Sequence, residues 1–185
     1  MRRTAIATTI LIAASTLAAA AWRSPAPSAG PALDDATIVA IFDATNTADI
    51  ETGKLGAERA TGKDVKNFGA MLGTVHTAVR QQGRDLAKKL GVTPTPPKDD
   101  QGAKDHAAAM AKLRAVNSVA FDRAFLEHEQ AYHAAVIAAL NGTLVPGIQN
   151  AELKKFVVSL LPAFEAHRQA AENLLKQLPG LYKAK

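Results

Sequence analysis

Long stretches in which apolar residues recur every three or four positions alternate with short stretches rich in proline, glycine and small polar residues. That step marks the buried face of a helix, which completes a turn in 3.6 residues. The first helix is expected over about 35–60, with Ile38, Ile41, Phe42, Thr45, Ala48 or Asp49, Thr52 and Leu55 along one face. Asp34 or Asp35 can cap its start by accepting orphan backbone N–H groups, and Gly62 can stop it. The second is expected over about 63–90, with Val65, Phe68, Leu72, Val75, Val79 and Leu86 as its stripe and Gly91 as its stop. VTPTPPKDDQG then reads as a loop with an extended, polyproline-like start.

A short helix over about 104–115 carries Met110 and Leu113. Asn117-Ser118 breaks it, and Ser118 can cap the next helix, about 119–141, which carries Phe121, Phe125, Leu126, Tyr132, Val136, Ile137 and Leu140 and stops at Gly142. TLVPGIQ reads as a loop. The last long helix runs from about Asn150 to Gln177, with Leu160, Phe164, Ala171 and Leu174 on its inner face. Pro162 lies inside it and cannot donate to the carbonyl of Val158, so a kink or break is expected there. No stretch alternates with the period of two that marks a strand. The pattern describes an all-α, ferritin-like four-helix bundle with a longer crossover between its second and third helices.

Composition adds a boundary at the front of the chain. Residues 1–21 have a basic start, an apolar run and small residues at the end, the form of a secretory signal peptide. Residues 22–33 are a Pro/Ala/Ser linker, 34–178 the bundle and 179–185 a tail. The 185 residues are 48% hydrophobic, much of it alanine, with twelve glycines, which favours closely packed helices. There is no cysteine, so disulfides, thiolate metal sites and a lipid-anchor cysteine are excluded. Formal net charge is +5; loss of Arg2 and Arg3 with the signal segment leaves 20 basic against 17 acidic side chains. So small a surplus, with no run of like charge, gives no footprint for nucleic acid. No segment after the first 21 residues is long and apolar enough to span a membrane.

Polar residues intrude on every apolar stripe. They are Asp49, with Glu51 nearby, on the first long helix; His76 on the second; His133 or His128, with Glu129, on the third; and His167 on the fourth. His128 and His133 lie about 140° apart round the helix and cannot both face one centre. Asp49 and His76 each lie roughly 20 Å from the turn that joins their helices. One carboxylate and up to three imidazoles can therefore meet at mid-height. Bundles build metal sites in this way, and such ligands suit one zinc, copper, nickel or iron ion. A hydrogen-bonded Asp/His network without metal would satisfy the same buried groups. A carboxylate-bridged di-iron centre is not expected. Its glutamate three residues before a histidine is missing, for Gly73 precedes His76 and Phe164 precedes His167 at that spacing. No phosphate loop, dinucleotide fingerprint or nucleophile elbow is present, so no catalytic residue is assigned.

The stretches ADIETGKLGAERA, VKNFGAMLGTVHTAV, FDRAFLEHEQAYHAAV and LPAFEAHRQAAENLL together resemble an exported, ferritin-like bacterial family of unknown function, numbered forty-one forty-two, whose members are often labelled outer membrane proteins. The resemblance covers about 34–178. The family's first-helix glutamate falls at Asp49, its Asp-His pair at Val75-His76, its third-helix motif at Phe121, Asp122, Phe125 and His133, and its Leu-Pro…His at Leu161, Pro162 and His167. This favours His133 over His128 as the inward residue. Asp49 is one methylene shorter than the family residue, and Val75 removes a carboxylate beside His76. The resemblance implies a ferritin-like fold and a periplasmic or outer-membrane-associated location, where the partner to look for is another envelope protein. It implies no established activity.

Overall fold

A computed structural model describes residues 33–181, with side chains as far as Pro179. The expected signal peptide, most of the linker and the last four residues lie outside that range. Among the described residues the chain is all-helical, with no strand.

Helix α1 (Asp35–Arg59) starts where Asp34 accepts a hydrogen bond from Thr37 N at 2.8 Å. A tight turn at 60–62 leads into α2 (Lys63–Leu90). The carboxylate of Asp122, from a distant helix, accepts Thr61 N at 2.8 Å and Gly62 N at 2.7 Å. It satisfies donors that would otherwise be orphaned at the start of α2. Gly62 thus begins α2 rather than ending α1, which closes at Ala60. Along their shared length α1 and α2 touch main chain to main chain. A Cβ on Gly53 would lie 2.7 Å from Gly73 N, and one on Gly69 2.6 Å from Ala57 N. Only glycine permits that approach. Gly91 ends α2 in the left-handed conformation, φ 69°.

The proline-bearing loop is pinned to the start of α1 by Thr95 N donating to Ala36 O. Asp100 accepts Ala103 N and so starts α3 (Gln101–Ala115) three residues before the apolar pattern does. Helix α4 (Ser118–Ala139) lacks the expected Ser118 cap. Ser118 is its first residue, at φ 54°, and the side-chain acceptor of Asn117 is taken by Arg59 at 2.6 Å. The same guanidinium collects the carbonyls of Leu113, Arg114 and Val116, the free C-terminal end of α3.

Three other expectations are corrected. Gly142 does not stop α4, and TLVPGIQ is not an open loop. The chain tightens into a π-helical turn (Leu140–Leu144) and one turn of helix, α5 (Val145–Gly147), which bury Leu140, Leu144 and Gly147. Nor does Pro162 break α6, which runs without interruption from Ala151 to Leu181, past Pro179 and into the expected tail. Pro162 is exposed and Val158 is 41% exposed, so the lost hydrogen bond lies on the wet face, where water can replace it.

Helix α1 packs along α2 and α4 along α6, with further contacts of α1 with α4 and α2 with α6. Two apolar clusters result. One gathers Leu55, Leu72, Phe121, Phe125 and Ala171; the other Ile38, Ala87, Leu140, Val157 and Phe164. Along each of the four long helices, the buried polar residues other than Asp122 fall between these clusters. They are Asn46, Asp49 and Thr52 on α1, His76 on α2, Glu129 and His133 on α4, and His167 on α6.

Candidate functional site

The polar layer brings three imidazoles into contact. Ring centroids are 5.7 Å apart for His76 and His133, 5.2 Å for His76 and His167, and 5.3 Å for His133 and His167. Each comes from a different helix; the apolar period had placed His76 and His167 toward the core and had left His133 open against His128. Phe164 stacks on His76 at 5.7 Å and closes one side. His76 and His133 are fully buried, and His167 is 8% exposed. His76 Nε2 lies 3.3 Å from His167 Nδ1, and His76 Nδ1 lies 2.9 Å from Asn46 Oδ1.

Two carboxylates flank the imidazoles. Asp49 lies between two of them, with Oδ2 3.6 Å from His76 Nδ1 and Oδ1 3.9 Å from His133 Nε2. One methylene less than glutamate is still enough to reach both rings. Glu129, one turn before His133, brings Oε2 to 3.6 Å from His133 Nδ1, while that nitrogen lies 3.0 Å from the Glu129 carbonyl. Asp49 Oδ1, His133 Nε2 and both carboxylate oxygens of Glu129 are buried without a hydrogen-bond partner. Buried polar atoms are rarely left so, because each costs roughly 1–3 kcal/mol.

Burial governs the protonation of the cluster. It lowers His76 to about 3, helped by the neighbouring His133 and His167. It lowers His133 to about 4 and pushes His167 down as well. It raises Glu129 to about 8, and Asp49 well above the usual carboxylate range, with Glu129 as the second cause. At neutral pH the imidazoles are uncharged, the state in which they donate a lone pair to a metal. Ligand atoms of His76, His133 and His167 lie within 4.8 Å of one another, as do those of Asp49, Glu129 and His133, so either group could hold an ion.

The structure therefore brings Asp49, His76, His133 and His167 together and adds Glu129, a lesser candidate by sequence. The other two lesser candidates are elsewhere. Glu51 is exposed and binds His106 Nε2 at 2.8 Å. His128 stacks on Tyr132 at 5.6 Å, beside a cleft of about 960 Å³ between α1, α3 and α4, and does not join the cluster. Sequence reasoning missed Asn46. It is fully buried, whereas Thr45, expected on the apolar face, is half-buried. Its one signal is position, four residues after Phe42 and three before Asp49.

The fold and this layer define an all-helical protein built round a buried imidazole–carboxylate cluster. The chain matches the model of a domain of unknown function, DUF4142, over residues 20–174, and it belongs to that family. No curated protein and no solved structure matches it.

Proposed function

We propose that this chain is an exported cell-envelope protein whose ferritin-like four-helix bundle binds one transition metal ion through Asp49, His76, His133 and His167, with Glu129 as a further ligand. The carrying observation is the set of buried, unpartnered atoms: Asp49 Oδ1, His133 Nε2 and the Glu129 carboxylate, beside a trio of neutral imidazoles. An ion held by Asp49, Glu129 and His133 would partner these atoms, displacing the protons that burial keeps on the two carboxyls. Imidazole with carboxylate suits zinc, copper, nickel or iron. The two candidate groups share His133, whose Nδ1 already faces a backbone carbonyl, so one ion at a time is the simplest occupancy. The pairing of four long helices with a polar layer at mid-length supports the bundle reading. Export rests on the form of residues 1–21. Among the described residues, no helix is long and apolar enough to cross a membrane.

The test is elemental mass spectrometry on the untagged chain, before and after addition of each ion. About one metal per chain is expected, and it should be lost in His76→Ala and His167→Ala variants that still fold. A second reading is favoured by the His76–Asn46 and His76–His167 contacts, which close without an ion. A metal-free core network of a partner-binding module would show no bound metal, or binding indifferent to both substitutions.

A further inference from the structure

Imidazole presents a lone pair at only one nitrogen when neutral, and which one depends on where its proton is held. Around His76 the acceptors settle this. Asn46 Nδ2 lies 2.8 Å from the carbonyl oxygen of Phe42, which only accepts. The amide nitrogen must therefore face Phe42, and Asn46 Oδ1 must face His76 Nδ1 at 2.9 Å. That oxygen also only accepts, so Nδ1 carries the proton and donates it. Asp49 Oδ2 stands at 3.6 Å from Nδ1, beyond hydrogen-bond length, and does not compete for it. His133 is held alike. Its Nδ1 donates to the Glu129 carbonyl at 3.0 Å and leaves Nε2 bare, the buried atom that has no partner. His167 has no such outer acceptor among the described residues. Its Nδ1 meets His76 Nε2 at 3.3 Å, and the ring reaches the edge of the site, 8% exposed.

We infer that Asn46 is a positioning residue: held by the Phe42 carbonyl, it locks His76 as the Nδ1–H tautomer and aims the His76 Nε2 lone pair into the site, as the Glu129 carbonyl does for His133. Nε2 is thus the coordinating atom of both rings, and His167 is the adaptable third ligand. This rests on the metal-binding reading for its purpose, but the tautomer exists without the ion. Outer partners of this kind fix ring orientation at metal-bound histidines, and their loss costs roughly ten- to a hundredfold in metal affinity.

The experiment is imidazole nitrogen–proton NMR on the full chain with ¹⁵N-labelled histidine, kept metal-free by chelation, for wild type, Asn46→Leu and Asn46→Asp. In the wild type, His76 and His133 should both carry the proton on Nδ1. Asn46→Leu removes the acceptor at similar size, so His76 should shift toward the Nε2–H form while His133 does not. Asn46→Asp, as the neutral acid that burial favours, keeps an acceptor oxygen toward His76 and an O–H to donate to the Phe42 carbonyl, and should restore the Nδ1–H form. Titration with zinc should then show affinity reduced roughly tenfold or more in Asn46→Leu, with recovery in Asn46→Asp. A wild-type His76 proton on Nε2 overturns the assignment even if no variant folds. So does Asn46→Leu with an unchanged His76 tautomer, since Asp49 would then be holding the ring. Because the spectra are taken without metal, a wild-type chain that binds no ion overturns the metal reading and leaves the tautomer to be decided by the spectra.

Discussion

Gly53→Ala should destabilise the protein and weaken its site at the same time. The added methyl would lie 2.7 Å from Gly73 N, 2.8 Å from Gly69 O and 3.1 Å from Leu72 Cβ. The first two are main-chain atoms of α2, so no side chain can rotate away. The helices would have to part by roughly 1 Å to restore ordinary contact distances. Overpacking of this kind costs about 1–3 kcal/mol, and the obstacle here is rigid. Alanine's better helix propensity returns at most about 1 kcal/mol. A net loss of about 2 kcal/mol lowers the melting temperature by about 4–8 °C at this chain length. Asp49 lies one turn before Gly53 and His76 three residues after Gly73, so parting α1 from α2 lengthens the 3.6 Å Asp49–His76 approach. Calorimetric melting of the metal-free chain tests the first effect and zinc titration the second. The control is Gly142→Ala, where nothing lies within 4 Å of the new methyl; it should be neutral or stabilising by up to about 1 kcal/mol. Gly53→Ala melting at or above the wild type would refute the backbone-to-backbone packing from which this follows.

Stability of the metal-free chain should depend on pH from both sides. His76 and His133 titrate near 3 and 4 when folded but near 6.5 when unfolded, so below about pH 6.5 the unfolded chain gains protons that the folded one refuses. Each costs up to about 1.4 kcal/mol per pH unit on acidification. Glu129 works the other way: it stays protonated to about 8 when folded but ionises above about 4.5 when unfolded, so its cost grows from about pH 4.5 to 8. Denaturant titrations should find a maximum near pH 6.5, where the two histidine slopes give out and that of Glu129 remains, with the alkaline fall reduced in Glu129→Gln; stability that rises from pH 6.5 to 8 would contradict this. At a free concentration a hundred times its dissociation constant, a bound ion should add about 2.7 kcal/mol and raise the melting temperature by about 5–10 °C, an effect absent from His167→Ala. Unchanged melting with zinc, copper, nickel and iron would count against the site. Asp122→Ala leaves Thr61 N and Gly62 N without their acceptor and should cost about 2–4 kcal/mol by chemical denaturation, whereas a loss below 1 kcal/mol would mean that water replaces the carboxylate.

How much of this was legible in the sequence depended on whether the deciding signal was local. The limits of α2 were legible, because Lys63–Leu90 carries one apolar stripe and ends at a glycine able to take φ 69°. The course of α6 through Pro162 was not, because tolerance of that proline depends on which side of the helix faces water. The third-helix histidine stood open on pattern alone: Val136 and Ile137 are both apolar, so either His133 or His128 could continue a stripe. The ladder Phe121, Phe125, Glu129, His133 settles the phase, and it passes through a glutamate that a hydrophobic period cannot count as core. Glu129 and Asn46 were obscured for the same reason. Each is a buried polar residue with polar neighbours, Glu129 between His128 and Gln130, Asn46 between Thr45 and Thr47. A histidine among hydrophobes announces itself; a polar residue among polar ones is revealed only by what lies opposite on another helix. The imidazoles were therefore readable, whereas Asn46 and Glu129, the residues proposed to orient them and join them at the ion, required the fold.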